Sequence, residues 1–255
     1  RKTRRQIPEE PGIMNKSMCV VVSVACMLCA NALARAEEIK PPYPMASEAR
    51  IKEVKDLTFG MWTCWSLSAF TGAEYTHGVK SPDYFHPTGC DVAQWVTTAK
   101  VAGMKYILFL TKHHDGFCLW DTKTTEFKVT RSPLGKDVLA KLRKACDKHG
   151  IKLALYFSMP DWTWPKHSNP VLQKQQLEEL LTGYGPIEFM WIDEGGIGNG
   201  GLSHTEASAW IKNFQPGCVL GFNCVDPQGE MRIGEQGFAA PLEDQKAAGF
   251  LWDRY

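Results

Sequence analysis

An α/β fold with parallel strands is what this sequence predicts, on three observations. Short apolar runs alternate with amphipathic helical segments along the 255 residues. The clearest run, Tyr106 to Leu110, is apolar throughout, the pattern of a strand buried on both faces. Long loops follow the strands and carry the ionisable residues, as in (β/α) barrels, whose catalytic face lies at the C-terminal ends of the strands.

The first strand is expected within Leu57–Ser66, followed by a long loop over 68–87. Asp91 is placed to N-cap a helix with Val92, Trp95, Val96 and Ala99 on one face, closed by Gly103. Tyr106–Leu110 follows, then a loop over 120–135. A helix is expected over Asp137–His149, with Leu139, Leu142, Ala145 and Cys146 buried and Gly150 as C-cap. Ile151–Ser158 is the third strand, and Val171–Tyr184 the next helix. Pro186–Asp193 is the fourth strand, ending on Asp193-Glu194. Helix Ser203–Phe214, strand Val219–Phe222 and a sixth strand over Met231–Glu235 complete the series. Six βα units of an eight-stranded (β/α)8 TIM barrel are therefore expected, with the C-terminal part of that barrel truncated or lost to a break near Phe250.

The N-terminal segment reads differently. Residues 1–13 resemble an upstream leader, and residues 14–36 a secretory signal peptide: Lys16, an apolar stretch from Met18 to Cys29, then Ala34-Arg35-Ala36. Cleavage after Ala36 would leave a catalytic domain over 37–255 in a secreted or periplasmic protein, with no membrane attachment. That segment holds 6 of the 29 basic and 2 of the 28 acidic residues, so the remainder carries 23 and 26 and a net charge of −3. Such a balance offers no basis for nucleic-acid binding. The six cysteines left, Cys64, Cys90, Cys118, Cys146, Cys218 and Cys224, lack zinc-site spacing.

Strand ends supply the candidate chemistry. His113-His114-Asp115, Tyr156 to Ser158, Asp193-Glu194 and Glu235 all fall there. Two carboxylates from different strands facing one pocket suit glycoside hydrolysis. Gly196-x-Gly198-x-x-Gly201 matches a dinucleotide fingerprint, but Asp193 and Glu194 directly before it would repel a pyrophosphate. A metal-dependent barrel hydrolase using His113, His114, Asp115 and Asp193 is a further alternative, although no H-x-H spacing supports it.

Lys112-His113-His114-Asp115-Gly116-Phe117, with Trp120, resembles the signature of the α-L-fucosidases of glycoside hydrolase family twenty-nine. The likeness runs from about Phe59 to Gly249. It takes in Phe59-Gly60-Met61, Thr130-Arg131-Ser132-Pro133, Leu153–Ser158, Trp191-Ile192-Asp193 and Arg232-Ile233-Gly234-Glu235. The resemblance implies a cofactor-free retaining exo-glycosidase acting on terminal α-L-fucose of an oligosaccharide or glycoconjugate. Asp193 matches the nucleophile, and Glu235 the less regular acid/base position. His113, His114, Tyr156 and Trp120 match substrate-binding positions. Glu74-Tyr75 matches a Glu-Trp pair, with Tyr in place of Trp. Cys64 stands where a pocket histidine is usual. That departure, with the short C-terminus, raises the alternative of an inactive or sugar-binding remnant.

Overall fold

The computed structural model describes residues 45–73, 76, 78–193, 201–223 and 230–233. Within them lies a six-stranded, wholly parallel sheet whose spatial order follows the chain. Its strands are β1 (Gly60–Thr63), β2 (Tyr106–Lys112), β3 (Lys152–Ser158), β4 (Phe189–Asp193), β5 (Val219–Phe222) and β6 (Met231–Arg232). The helices are α1 (Glu48–Lys55), a single turn α2 (Ser68–Thr71), α3 (Val92–Val101), α4 (Val138–His149), α5 (Pro170–Gly183) and α6 (His204–Phe214). The α/β alternation is as expected.

Capping explains where the helices begin. Asp91, Asp137, Asn169 and Ser203 each accept a hydrogen bond from the backbone N–H three residues on. Pro170 then occupies the first helical position of α5, one residue earlier than expected, where its missing N–H costs nothing. Ser203 and Glu206 form a reciprocal capping box. Gly150 ends α4 at φ +69°, as its C-cap role requires.

Two expectations need correction. The first strand is shorter than Leu57–Ser66, because α1 ends at Lys55 and the chain turns through Thr58 at φ +46° before entering β1. Helix α1 itself has only Ile51 and Val54 to suggest it. It is held by charge, from the opposite end of the sheet. Arg50 pairs with Glu188 at 2.5 Å and donates to the Gly217 carbonyl, and Lys152 reaches the other Glu188 oxygen at 3.0 Å. These partners lie at the strands' N-terminal ends, so the polar C-terminal edge stays clear.

Every residue of β2 is buried, as a strand covered on both faces demands. Its register against β3 slips at Thr111: Leu110 lies opposite Tyr156, but Lys112 lies opposite Phe157. Without the extra residue Lys112 would face Ser158, on the side that carries Tyr156 and Asp193. The bulge turns it to the other side. There its ammonium sits 4.4 Å from the Phe157 ring centre and donates to Gln176 of α5 at 3.1 Å.

Beyond the bulge the chain folds back on itself. Gly116 adopts φ +82°, and a Cβ there would run into the Asp161 carboxyl group. Asp115 is buried and accepts from the Phe117 N–H at 2.8 Å. Burial drives the Asp115 carboxyl up to about 7, and it raises Asp161 and lowers Lys112 as well. The three groups lie within electrostatic reach of one another.

Two outcomes follow from this corner. Gly116→Ala should lower the unfolding free energy by about 1–3 kcal/mol in urea titrations, because both the positive φ and the Asp161 contact are violated. Retained stability would show that the corner yields freely. For Asp115, a folded-state pKa raised from 3.8 to about 7 means that the folded chain holds an extra proton between those values. Stability should therefore fall as pH rises from about 4 to about 7, by at most about 1.4 kcal/mol per unit. Asp115→Asn, which stays neutral, should flatten that slope in denaturation series at pH 4.5 and 7.5. An unchanged slope would overturn the assignment.

Candidate active site

The site is built where β4 ends. Ile192 is fully buried and Asp193 is 3% exposed. The apolar strand carries its carboxylate to the C-terminal edge of the sheet and leaves it no bulk water. A buried carboxylate needs donors, and three neighbouring strands bring them. Ser158 of β3 is the register partner of Asp193, so Tyr156, two residues earlier on the same face, also points at it. The Tyr156 hydroxyl donates to Asp193 Oδ2. Asn223, the residue after β5, donates through Nδ2 to Oδ1 at 2.7 Å. From the end of β2, His114 Nε2 stands 3.6 Å from Oδ2.

His114 is itself fixed. Its Nδ1 and the Ser158 hydroxyl are 2.6 Å apart, and its ring lies against Trp162, centroids 4.3 Å apart. His113 is more exposed and lies nearly parallel to the Tyr156 ring, with centroids 5.9 Å apart and planes at 15°. The two histidine rings are neighbours at 4.4 Å. The pair therefore divides its surroundings: His114 faces Asp193 and Ser158, and His113 takes the outer position beside Tyr156.

Aromatic rings extend the wall. Trp62 of β1 stacks on Trp191 of β4 at 5.2 Å, and both meet Tyr156 edge-on at 5.3 Å. Trp191 shares the Asp193 face of β4, and its indole N–H is buried without a hydrogen-bond partner among the described residues. Trp62 is 42% exposed beside it. These rings offer a flat, apolar surface next to a carboxylate, a combination suited to a saccharide ring with one apolar face.

The residues selected from sequence thus divide. Asp193, His113, His114 and Tyr156 come together, with separations set by the β2–β3–β4 register. Trp120 is buried, its Nε1 donating to Glu179 of α5 at 2.9 Å, so it braces the loop after β2. Cys64 is exposed just after β1. Glu74, Tyr75 and Glu235 lie outside the described residues, as does Glu194 with the glycine-rich segment up to residue 200. Sequence reasoning missed Asn223 and Trp62 as members of this cluster, whereas Ser158 falls in the strand end Tyr156 to Ser158 that it selected. Asn223 has a signal only in hindsight, as the single polar residue directly after the apolar run Val219–Phe222.

Chemically, two neutral donors orient this carboxylate, one on each oxygen. Each oxygen keeps a further lone pair. Such a group can attack an electrophilic carbon, and the donors remain matched to the ester oxygens that result.

Comparison with known proteins follows the same lines. The α-L-fucosidase family model matches residues 27–246. Alpha-L-fucosidase 1 of Arabidopsis thaliana is 34% identical over 154 residues, which cover 56% of this chain and 29% of that protein. A solved glycoside hydrolase 29 family member from an unknown rumen bacterium is 32% identical with a TM-score of 0.65, covering 76% of this chain and 38% of that one. An α-L-fucosidase of Bacteroides thetaiotaomicron, trapped as a covalent intermediate with 2-fluoro-fucosyl fluoride, is 27% identical with a TM-score of 0.61, covering 72% of this chain and 52% of that one. The chain spans about a third of the length of the curated relatives it matches. Over most of its length, in sequence and in the parallel sheet that carries Asp193, this chain belongs to the α-L-fucosidase family.

Proposed function

We propose that this chain carries the glycone-binding, nucleophile-bearing part of a secreted or periplasmic retaining exo-α-L-fucosidase, built on a (β/α)8 barrel and acting on terminal fucose of an oligosaccharide or glycoconjugate. The observation that supports it most directly is the carboxylate of Asp193 at the end of β4, held by Tyr156 and Asn223 and faced by His114. Asp193 attacks the anomeric carbon from one face of the sugar, and the leaving oxygen departs from the other. The product of this step is a glycosyl ester on Asp193. Glu235 protonates the leaving oxygen and then removes a proton from the water that hydrolyses the ester. A retaining mechanism requires the two carboxyl groups to lie about 5–5.5 Å apart in the working enzyme.

The supporting residues have separate parts to play. Tyr156 and Asn223 aim the nucleophile. His113, with Glu74 and Tyr75, binds sugar hydroxyls, and His114 bridges the sugar and the nucleophile. The Trp62–Trp191 surface takes the apolar face of the ring. Cys64 replaces a donor usual in the family, which weakens the hold on one hydroxyl. Residues 14–36 direct export, and cleavage follows Ala36.

Incubation with a 2-fluoro-fucosyl fluoride should add a fluorofucosyl group to the peptide containing Asp193, detected by mass spectrometry after proteolysis. Asp193→Ala should lose at least about 10³-fold in aryl α-L-fucoside turnover, with azide restoring part of the rate. Label on another residue, or undiminished turnover in the variant, would sink the assignment. Asn223→Ala keeps the nucleophile but loosens its aim. It should lower kcat by about 10–100-fold with little change in KM, and a change in KM alone would give Asn223 to substrate binding instead.

A further inference from the structure

A second cavity opens beside this site and has no part in the reaction described. Its volume is about 430 Å³, within the range of small-molecule sites (about 300–1,000 Å³). Its walls come from the segment after β1 (Lys80, Pro82), the loop after β2 (Thr125 to Phe127, Arg131) and the loop after β3 (Trp164, His167). All three segments leave the sheet at its C-terminal edge, so this cavity and Asp193 share that side. The loop after β3 also serves both sites. Trp162 packs on His114, and its N–H donates to the His114 carbonyl at 2.6 Å. Two residues on, Trp164 lines the second cavity, its N–H held by Asp161 at 2.7 Å.

The lining has a definite chemistry. Trp164 is half-buried and supplies an aromatic face, and the Lys80 ammonium sits 4.9 Å from the centre of that ring. Lys80 is exposed and forms no ion pair among the described residues. Arg131 pairs with Glu126, its Nε 2.5 Å from a Glu126 oxygen, and its guanidinium stands in the cavity wall. His167 places Nδ1 3.3 Å from Asp161 at the same rim. A cation over an indole, a guanidinium fork and an imidazole surround the cavity, against one carboxylate in its lining. This stands in a chain whose presumptive mature part has a net negative charge. Aromatic surface plus paired cations is how a protein holds a sugar ring bearing an anionic group.

We propose that this cavity is a subsite for an anionic sugar residue, sulfated or carboxylated, of the same glycan whose terminal fucose enters the Asp193 pocket. The inference rests on the fucosidase reading for its neighbour, but its own ligand chemistry stands on Lys80, Arg131 and Trp164. The ring of the bound sugar lies against Trp164, and its anionic group lies between the Lys80 ammonium and the Arg131 guanidinium. A neutral sugar lacks that second anchor.

Titration calorimetry with galactose 6-sulfate, glucuronate, unmodified galactose and inorganic sulfate tests it on the intact chain. Binding of either anionic sugar at least about 10-fold tighter than galactose and than sulfate alone is the expected result, and the two anionic ligands separate ester from carboxylate recognition. Lys80→Ala combined with Arg131→Ala should abolish that preference, and Trp164→Ala should weaken both anionic sugars together. Circular dichroism of each variant verifies the fold. Galactose binding as tightly as the anionic sugars, inorganic sulfate binding as tightly as either, or a preference that survives the double substitution would overturn the subsite. Fluorofucosyl labelling of Asp193 in the same preparations keeps the two readings apart. Label without anionic-sugar preference removes only the subsite, and preference without label removes only the fucosidase chemistry.

Discussion

A carboxylate that is nearly excluded from water must be met by donors, and the Asp193 carboxylate organises the C-terminal edge of this sheet for that reason. Its partners arrive from three strands. Tyr156 comes from β3, Asn223 follows β5, and His114 follows β2. None of the three is near Asp193 in the chain. The parallel pairing of β2 to β5 sets all of these approaches, so the sheet's register and the site's geometry are one property. Tyr156 and Asn223, neutral donors on the two oxygens, position the group.

Behind the site, the protein bears a set of charges at some cost. Lys112, Asp115 and Asp161 are buried together, and burial works against the charged form of each. Their placement follows from two local devices, the bulge at Thr111 and the glycine corner at 116. The bulge sends Lys112 away from the face that carries Tyr156 and Asp193, so its ammonium does not pair with Asp193. The corner brings Asp161, and with it the loop of Trp162 and Trp164, against the histidines. One loop thereby contributes to both the Asp193 site and the second cavity.

Much of this was legible in the sequence, and particular residues show why. The apolar runs ending in His113-His114, Tyr156 and Asp193 announce both the strands and their polar ends, because a strand buried on both faces has no other composition open to it. The helix starts at Asp91, Asp137 and Ser203 were equally plain, since capping is a local hydrogen bond between residues three apart. Helix α1 was not, because its apolar face is only Ile51 and Val54 and its other tie to the sheet is Arg50 reaching Glu188, 138 residues away. The part of Trp120 was legible only as a ring near the signature. Its hydrogen bond to Glu179 belongs to packing between a loop and α5.

The sequence by itself determined the order of strands and helices and the placing of Asp193 at a strand end, because these depend on burial and hydrogen bonding within a dozen residues. Only the tertiary structure decided which side chains share the Asp193 face, that Asn223 completes its set of donors, and that Lys112 is turned away. Those contacts join residues 30 to 79 positions apart (Asn223 to Asp193, 223 − 193 = 30; His114 to Asp193, 193 − 114 = 79). They depend on strand register, and a one-residue shift such as the bulge at Thr111 reverses the face on which a side chain emerges without leaving any mark on composition or periodicity.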